Sequence, residues 1–308
     1  MRNFTFKGLF LTAVFMLLGC LSIQAADGDL ITRQITIKLD KAGILPDRIG
    51  SSKKYKITNL KIFGEINGTD WEMIREMAGR DYSGNSTEGN LSVLDLSEAK
   101  IVKGGDRYFS GYYSGDNCYT SNDEIGEYAF KDCSRLTSLT LPAGITSIGY
   151  ETFYGCSGLT SLTLPAGITV IGYRAFHGCS GLTSLTLPVG ITSIGGYAFS
   201  DCSGLASIYV YAEKVPKMDS DAFKGCDAKN CILYVPKGTY DDYWLSDFGD
   251  YFENIVEFDP TGIDKTTTST DVEEVSRYSA DGQRLAVPVK GLNIVKYSDG
   301  TARKVVVK

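Results

Sequence analysis

Eight cysteines and one histidine are the residues through which this chain could do metal or nucleophile chemistry, and their spacing argues against both. Cys133, Cys156, Cys179, Cys202 and Cys226 recur at a nearly constant interval. A tetrahedral metal site needs close pairs such as Cys-x-x-Cys, and the sequence has none. The interval predicts a stacked column of buried, reduced thiols, because units on a helical side pack roughly 8 to 10 Å apart. A disulfide tolerates a Cα separation of only about 7 Å. Cys226 and Cys231 could bridge locally, and Cys118 reads as the most exposed thiol. His177 stands where other copies of the same pattern carry Lys131, Tyr154, Ser200 and Lys224, so an exposed position without a nucleophile or acid beside it is expected. Asp247-Phe-Gly-Asp250 lacks the alternating oxygens of a calcium loop, and no glycine-rich phosphate loop follows a strand. The expectation is a protein that is not an enzyme, with no cofactor and no bound metal.

Recognition chemistry is better represented. Nineteen tyrosines stand against two tryptophans, and tyrosine and arginine are favoured at binding surfaces. Tyr150, Tyr154, Tyr173 and Arg174 occupy varying columns of the pattern, beside Tyr128 and Tyr197. Tyr108, Tyr112, Tyr113 and Tyr119 lie in a Tyr-, Gly- and Ser-rich insertion, Lys103 to Asn122, which reads as a long loop. Such loops serve function or stay disordered, and this one could equally fold back to seal the first coil. A third set is hydroxylic: Thr140, Thr163 and Thr186, each two residues after a serine, form a Ser/Thr ladder. That ladder suits a carbohydrate, or serves only strand preference and solubility.

These residues are positioned by a repeat. From Ile125 to Val210 the chain copies itself every 23 residues, aligning Ile125, Ile148, Ile171 and Ile194; Phe130, Phe153, Phe176 and Phe199; and Leu136, Leu159, Leu182 and Leu205. A degenerate further copy keeps Phe223 and Cys226, so five turns are visible. Leu162 and Leu164, two apart and closed by Pro165, predict a short strand. Ile171, Ala175 and Cys179, four apart, predict a short helix or tight helical turn. One such coil is too small to bury a core, so stacking is compulsory, with a parallel sheet along one side and caps at both ends. The fold class is therefore an α/β solenoid.

Upstream, Tyr55 to Ile62 and Leu91 to Ile101 read as strands, and Thr69-Asp-Trp71-Glu72 reads as a capping box opening a helix with Trp71, Ile74 and Met77 on its apolar face, ended by Gly79. Residues 26–123 form the N-terminal cap in this reading, 124–258 the solenoid, 259–270 a Thr-rich linker and 271–308 a small β-rich segment. Residues 1–25 read as a signal peptide, with cleavage after Ala25 or, alternatively, lipoprotein processing at Cys20. With a net charge of −6 there is no basic footprint for nucleic acid, and no later segment is apolar enough to span a membrane.

From Glu124 to about Phe258 the columns resemble the BspA-type leucine-rich repeats of bacterial surface proteins, with their Leu-rich strand, Pro, Ile-Gly, Ala-Phe and Cys. The resemblance implies a surface role, and some members of that family adhere to host proteins. Tyr278 to Leu285, Gly291 to Val295 and Val305 to Lys308 resemble a shortened sorting domain of the Bacteroidetes type IX secretion pathway. Together these readings imply a monomer, secreted or held on the outer surface of a bacterium, that binds a protein or glycan without catalysis. The alternative is a structural spacer with no soluble ligand.

Overall fold

The computed structural model describes residues 29–111, 117–260, 274–279, 284–285, 290–297 and 302–307. The expected signal peptide, Cys20 and most of the expected linker lie outside these residues. The chain divides into two compact units, Met1–Phe258 and Asp259–Lys308.

The first unit opens with β1 (Ile35–Leu39), α1 (Leu45–Ile49), β2 (Asn59–Ile66), α2 (Gly68–Met77) and β3 (Val93–Ile101). A hairpin of β4 (Gly104–Ser110) and β5 (Asn117–Thr120) follows. The regular coils then contribute β6 (Ser138–Thr140), β7 (Ser147–Ile148), β8 (Ser161–Thr163), β9 (Val170–Ile171), β10 (Ser184–Leu187), β11 (Ser193–Ile194), β12 (Ser207–Val210) and β13 (Lys217–Met218). The unit closes with β14 (Ile232–Pro236), α3 (Tyr240–Trp244), α4 (Asp247–Tyr251) and β15 (Asn254–Phe258). The longer strands form two parallel sheets, β1-β2-β3-β6-β8 and β10-β12-β14-β15, and the short ones a third, β13-β11-β9-β7. This is a leucine-rich-repeat solenoid with two strands per regular coil.

The inward columns are those the repeat marks. Ile148, Ile171 and Ile194 are buried, as are Leu136, Leu159, Leu182 and Leu205. The phenylalanines stack along the axis: Phe130 to Phe153 at 5.4 Å, Phe153 to Phe176 at 5.0 Å, Phe176 to Phe199 at 5.1 Å and Phe199 to Phe223 at 5.2 Å. Coils this close cannot be helical on the side opposite the long strands. Of the two forms expected around Ile171 to Cys179, the structure takes the tight turn and adds a second sheet before it. Helical N–H groups would bond four residues back along their own turn. Here Phe130 N donates to Thr152 O, Phe153 N to Ala175 O, Phe176 N to Ala198 O and Phe199 N to Ala222 O, each in the next coil. The same closeness explains Gly172 and Gly195, where an added Cβ would fall 2.9 Å from Gly149 C and 2.8 Å from Tyr173 N.

The first coil has no predecessor, so its carbonyls need other donors. Helix α2 supplies them: Trp71 Nε1 donates to Ala129 O at 3.1 Å, and Arg75 Nη1 to Tyr128 O and Ala129 O at 2.7 and 3.0 Å. Trp71 also extends the phenylalanine stack, 5.3 Å from Phe130. The helix begins two residues before the expected Thr69. Asn67 accepts from Thr69 N, and Asp70 accepts from Asn67 N, closing the capping box two residues earlier. Asp70 is fully buried and also takes Gly43 N and Leu45 N, which ties α1 to α2. At the far end Phe248 and Phe252 cover Phe223, and Tyr243 Oη donates to Ala212 O at 2.7 Å.

The insertion is a hairpin and not a structureless loop, and its Tyr108 is corrected from a ligand-facing residue to a sealing one. Tyr108 is 2% exposed, and its hydroxyl donates to Glu127 O at 3.0 Å. In later coils the equivalent carbonyl accepts a backbone N–H, as Tyr150 O does from Tyr128 N.

The second unit is described only through β16 (Glu274–Ser279), β17 (Arg284–Leu285), β18 (Gly291–Tyr297) and β19 (Ala302–Val307), an antiparallel sheet in the order β17-β16-β18-β19. The β16–β17 pairing agrees with the hairpin signalled by Asp281-Gly282. Asn293 and Val295 are buried in it.

Two stability measurements test this packing. Phe176→Ala, at the middle of the stack, is expected to lower unfolding free energy by about 3 to 5 kcal/mol through the cavity left, and Tyr154→Ala by far less, in urea titrations. Tyr108→Phe keeps the ring but strips the donor from Glu127 O, and is expected to lower stability by about 1 kcal/mol. No change would return Tyr108 to the surface role first expected of it.

Candidate binding surfaces

The turn side of the coils carries an aromatic ridge. Phe109, Tyr128, Tyr150, Tyr173 and Tyr197 follow one another at 4.7, 5.3, 5.6 and 5.8 Å between ring centroids. Cations lie over the rings: Lys131 at 5.1 Å from Tyr128 and 4.7 Å from Tyr154, Arg174 at 5.1 Å from Tyr173 and 5.5 Å from Tyr197. Beneath them Glu151, buried, receives Lys131 Nζ at 2.5 Å and faces Arg174 Nη1 at 3.7 Å, so three coils share one ion cluster. Burial raises the pKa of Tyr128 and Tyr150, with neighbouring Tyr150 and Glu151 adding to it, and a hydroxyl bond to Asp221 raises that of Tyr197. All three hydroxyls stay protonated at neutral pH. The structure thus brings Tyr150, Tyr154, Tyr173 and Arg174 together, and adds Lys131, Glu151 and Phe109, which the sequence reading did not single out.

The backbone under this ridge is unusual. Tyr128, Glu151, Arg174, Tyr197 and Asp221 hold one column at φ of 58°, 47°, 53°, 56° and 62°. That left-handed region favours Gly, Asn or Asp. A second left-handed column, four residues on, follows the preference with Asp132, Gly155, Gly178, Asp201 and Gly225.

His177 is also corrected. It is half-buried, 4.7 Å from the Tyr154 ring, with Nδ1 hydrogen-bonded to Ser200 Oγ and 3.7 Å from Asp201 Oδ2. A Ser-His-Asp set is therefore present, but a working triad puts the acid and the hydroxyl on opposite ring nitrogens. Both sit on Nδ1 here. Ser200 is 1% exposed, and its hydroxyl donates to Tyr197 O at 3.2 Å. The arrangement pins neighbouring coils together and supplies no nucleophile. Among the described residues, no group of three or more His, Cys, Asp or Glu is placed to hold a metal.

Thr140, Thr163 and Thr186 lie on different elements, the outer face of β6, β8 and β10. Thr140 is in register with Thr163, and Thr186, in the next sheet, with Tyr209 and then Tyr234, the two tyrosines stacked at 4.4 Å. Tyr119 stands apart again, 55% exposed on β5 beside an open cleft of about 420 Å³ lined by Glu72, Tyr82, Gly105, Asp106 and Arg107. Burial, and the carboxylates of Glu76 and Asp106, raise the pKa of Glu72. Tyr112 and Tyr113 lie outside the described residues. The nine described candidates are thus several places and not one site.

The thiol column runs inside the core. Cys133, Cys156, Cys179 and Cys202 are buried and unbridged, and Cys226 and Cys231 are unbridged beside them. The 8 to 10 Å spacing expected for them is replaced by the 5 Å steps of the phenylalanine stack. Spacing is thus not what keeps the thiols apart. Cys156 Sγ donates to Phe130 O at 3.0 Å, Cys179 to Phe153 O, Cys202 to Phe176 O and Cys226 to Phe199 O. Each of these four thiols serves a carbonyl of the coil before it.

Residues 120–239 match, in six copies, the family pattern described as BspA type Leucine rich repeat region, over less than half of the chain. Among curated proteins nothing matches. Solved structures similar to this chain include a leucine rich repeat protein of T. pallidum, TpLRR, 26% identical over 44% of this chain and 64% of that one, with a TM-score of 0.37. A leucine-rich repeat protein from Bacteroides ovatus is 26% identical over 35% and 36%, TM-score 0.28. A leucine rich cell surface protein from Faecalibacterium prausnitzii is 20% identical over 72% and 65%, TM-score 0.35. This chain spans less than two thirds of the length of each.

The thiols predict a pH dependence. Burial pushes Cys133 up to about 11, and raises Cys156 and Cys179; Cys202 is raised first by the neighbouring Cys179 thiol. Unfolded thiols ionise near about 8.5, so above that pH the unfolded chain releases protons that the folded chain keeps. A raised acid contributes stability below its unfolded pKa and loses it as pH rises. Urea midpoints are therefore expected to fall between about pH 7 and 9.5, and a Cys156→Ser, Cys179→Ser variant to show a shallower fall.

Proposed function

We propose that this chain is a non-catalytic binding protein, displayed on or shed from the outside of a bacterial cell, that engages a partner protein through the tyrosine ridge. The observation that carries the reading is the left-handed column beneath it. Backbone geometry there calls for Gly or Asn, yet the chain places Tyr128, Arg174 and Tyr197, at a cost of order 1 kcal/mol each. Arg174 also leaves its buried Nε without a hydrogen-bond partner. Residues kept against such preferences are explained by what their side chains do outward. Rigid tyrosines give a large contact area at low entropic cost, and stacking has already ordered these. Export is supported by the basic start and apolar run of residues 1–25, and surface delivery by the resemblance of the C-terminal segment to type IX sorting domains.

One observation favours the spacer reading instead: ring faces are covered by neighbouring rings, and Tyr173, the most open of the ridge tyrosines from Tyr128 to Tyr197, is 39% exposed. Glycine separates the two readings. Tyr197→Gly and Arg174→Gly relieve the left-handed strain, so melting is expected to stay within a few degrees of the parent or to rise, since glycine at φ > 0 is worth up to about 1 kcal/mol. Retention on immobilised extracellular-matrix proteins and mucin is expected to be lost in both variants. Lowered melting with unchanged retention, or no retention of the parent on any of these, would make the ridge structural.

A further inference from the structure

The two kinds of outward threonine in the coils, all exposed but the half-buried Thr140, treat their hydroxyls differently. Thr137 and Thr160 donate to Ser92 O and Thr137 O, and Thr169 and Thr192 to Thr146 O and Thr169 O, each bond closing a gap to the preceding coil. Thr140, Thr163 and Thr186, with Ser138 and Ser161, make no side-chain hydrogen bond among the described residues. Thr140 and Thr163 are register partners in one sheet, on strands about 4.8 Å apart, and Thr186 opens the next sheet on β10.

That floor has an aromatic wall. Register sets Thr186 beside Tyr209 and Tyr209 beside Tyr234. Tyr209 lies parallel to Tyr234 at 4.4 Å and 4°, so its rings stand across the sheet. One face is covered by Tyr234, and the other turns toward the threonines. Phe258, edge-on to Tyr209 at 5.9 Å and to Tyr211 at 5.1 Å, braces the wall from behind. No charged side chain points outward from β6, β8, β10, β12 or β14. At the opposite end Lys61 is neutralised by Asp95 at 3.3 Å and Glu98 at 2.6 Å.

From this geometry we propose a second binding site, separate from the ridge, for a linear uncharged oligosaccharide of extended β-linked hexopyranoses. A floor that repeats itself coil after coil holds little information for an irregular protein surface, but it matches a ligand that also repeats. Free hydroxyls at one pitch can exchange hydrogen bonds with successive sugar hydroxyls, each group acting as donor or acceptor. The open face of Tyr209 receives the apolar C–H face of a terminal ring, as aromatic side chains do when they offer an apolar body beside polar groups. A charged polymer would find no counter-charge on the floor. The floor takes in four strands, β6, β8, β10 and β12, or roughly 14 Å at the strand pitch, enough for about three sugar rings.

The test uses the full chain with cellohexaose, mannohexaose and, as the charged control of the same linkage, a β-linked mannuronic acid hexamer, in titration calorimetry with saturation-transfer NMR. At least one neutral hexamer is expected to bind more tightly than the charged one. Thr163→Val with Thr186→Val keeps shape and strand preference, and is expected to weaken that binding about tenfold. Tyr209→Thr simply continues the threonine column and is expected to abolish the transfer signal. Melting should match the parent for the Val pair, and Tyr173→Ser on the ridge should leave sugar binding unchanged. The proposal is overturned when no neutral hexamer binds, when the acidic one binds at least as well, or when the Val pair binds like the parent. Because the ridge variants are read on protein ligands and these on sugars, either surface can fail without the other.

Discussion

Each coil of this solenoid leaves backbone carbonyls facing along the axis, and the first unit supplies them with donors from two sources. Inside the array the donor is the N–H of the preceding coil, as for Phe153 N on Ala175 O. At the open end it is a side chain: the Trp71 indole and Arg75 guanidinium on Ala129 O, the Tyr108 phenol on Glu127 O. An unpaired carbonyl in such a place would forfeit a bond of order 1 kcal/mol. The cap is thus a set of substitutes for a missing coil, and its largest buried side chains are polar at the tip for that reason.

The bond that satisfies the carbonyls also sets the pitch. Coils held by direct backbone hydrogen bonds stand near 5 Å, the spacing read in the Phe130 to Phe223 stack. That pitch excludes a helix from the turn side and a Cβ from Gly172 and Gly195. It also brings the cysteine sulfurs within reach of the previous coil's carbonyls. His177, Ser200 and Asp201 come together by the same cause: one coil apart is close contact here.

A fixed pitch turns every outward column into a ladder. Where the column is serine and threonine, the ladder is uniform and neutral; where it varies, it becomes the tyrosine and cation mosaic from Tyr128 to Tyr197. The two differ in what the backbone asks of them. β-branched threonine suits its strand, whereas tyrosine and arginine at φ near 55° do not suit theirs. Local preference and display agree on one face and conflict on the other, and conflicts of this kind concentrate at functional surfaces.

Periodicity alone was enough to read the fold: because 23 residues return the chain to the same place in the next coil, the Ile, Phe, Leu and Cys columns had to face inward together. Trp71, Ile74 and Met77 could be read as a buried helix face for the same reason, that spacing maps onto direction within one element. Contacts between elements could not be read this way. A four-residue interval fits a helical turn and a tight turn alike, so Ile171 to Cys179 left the choice open until the inter-coil hydrogen bonds decided it. Tyr108 sits in a run of Gly, Ser and Asp that reads as exposed, and only the missing coil beneath it explains why it turns inward. Sequence spacing determined which residues share a column; the distance between columns, and so which of them touch, was decided by tertiary hydrogen bonding across coils.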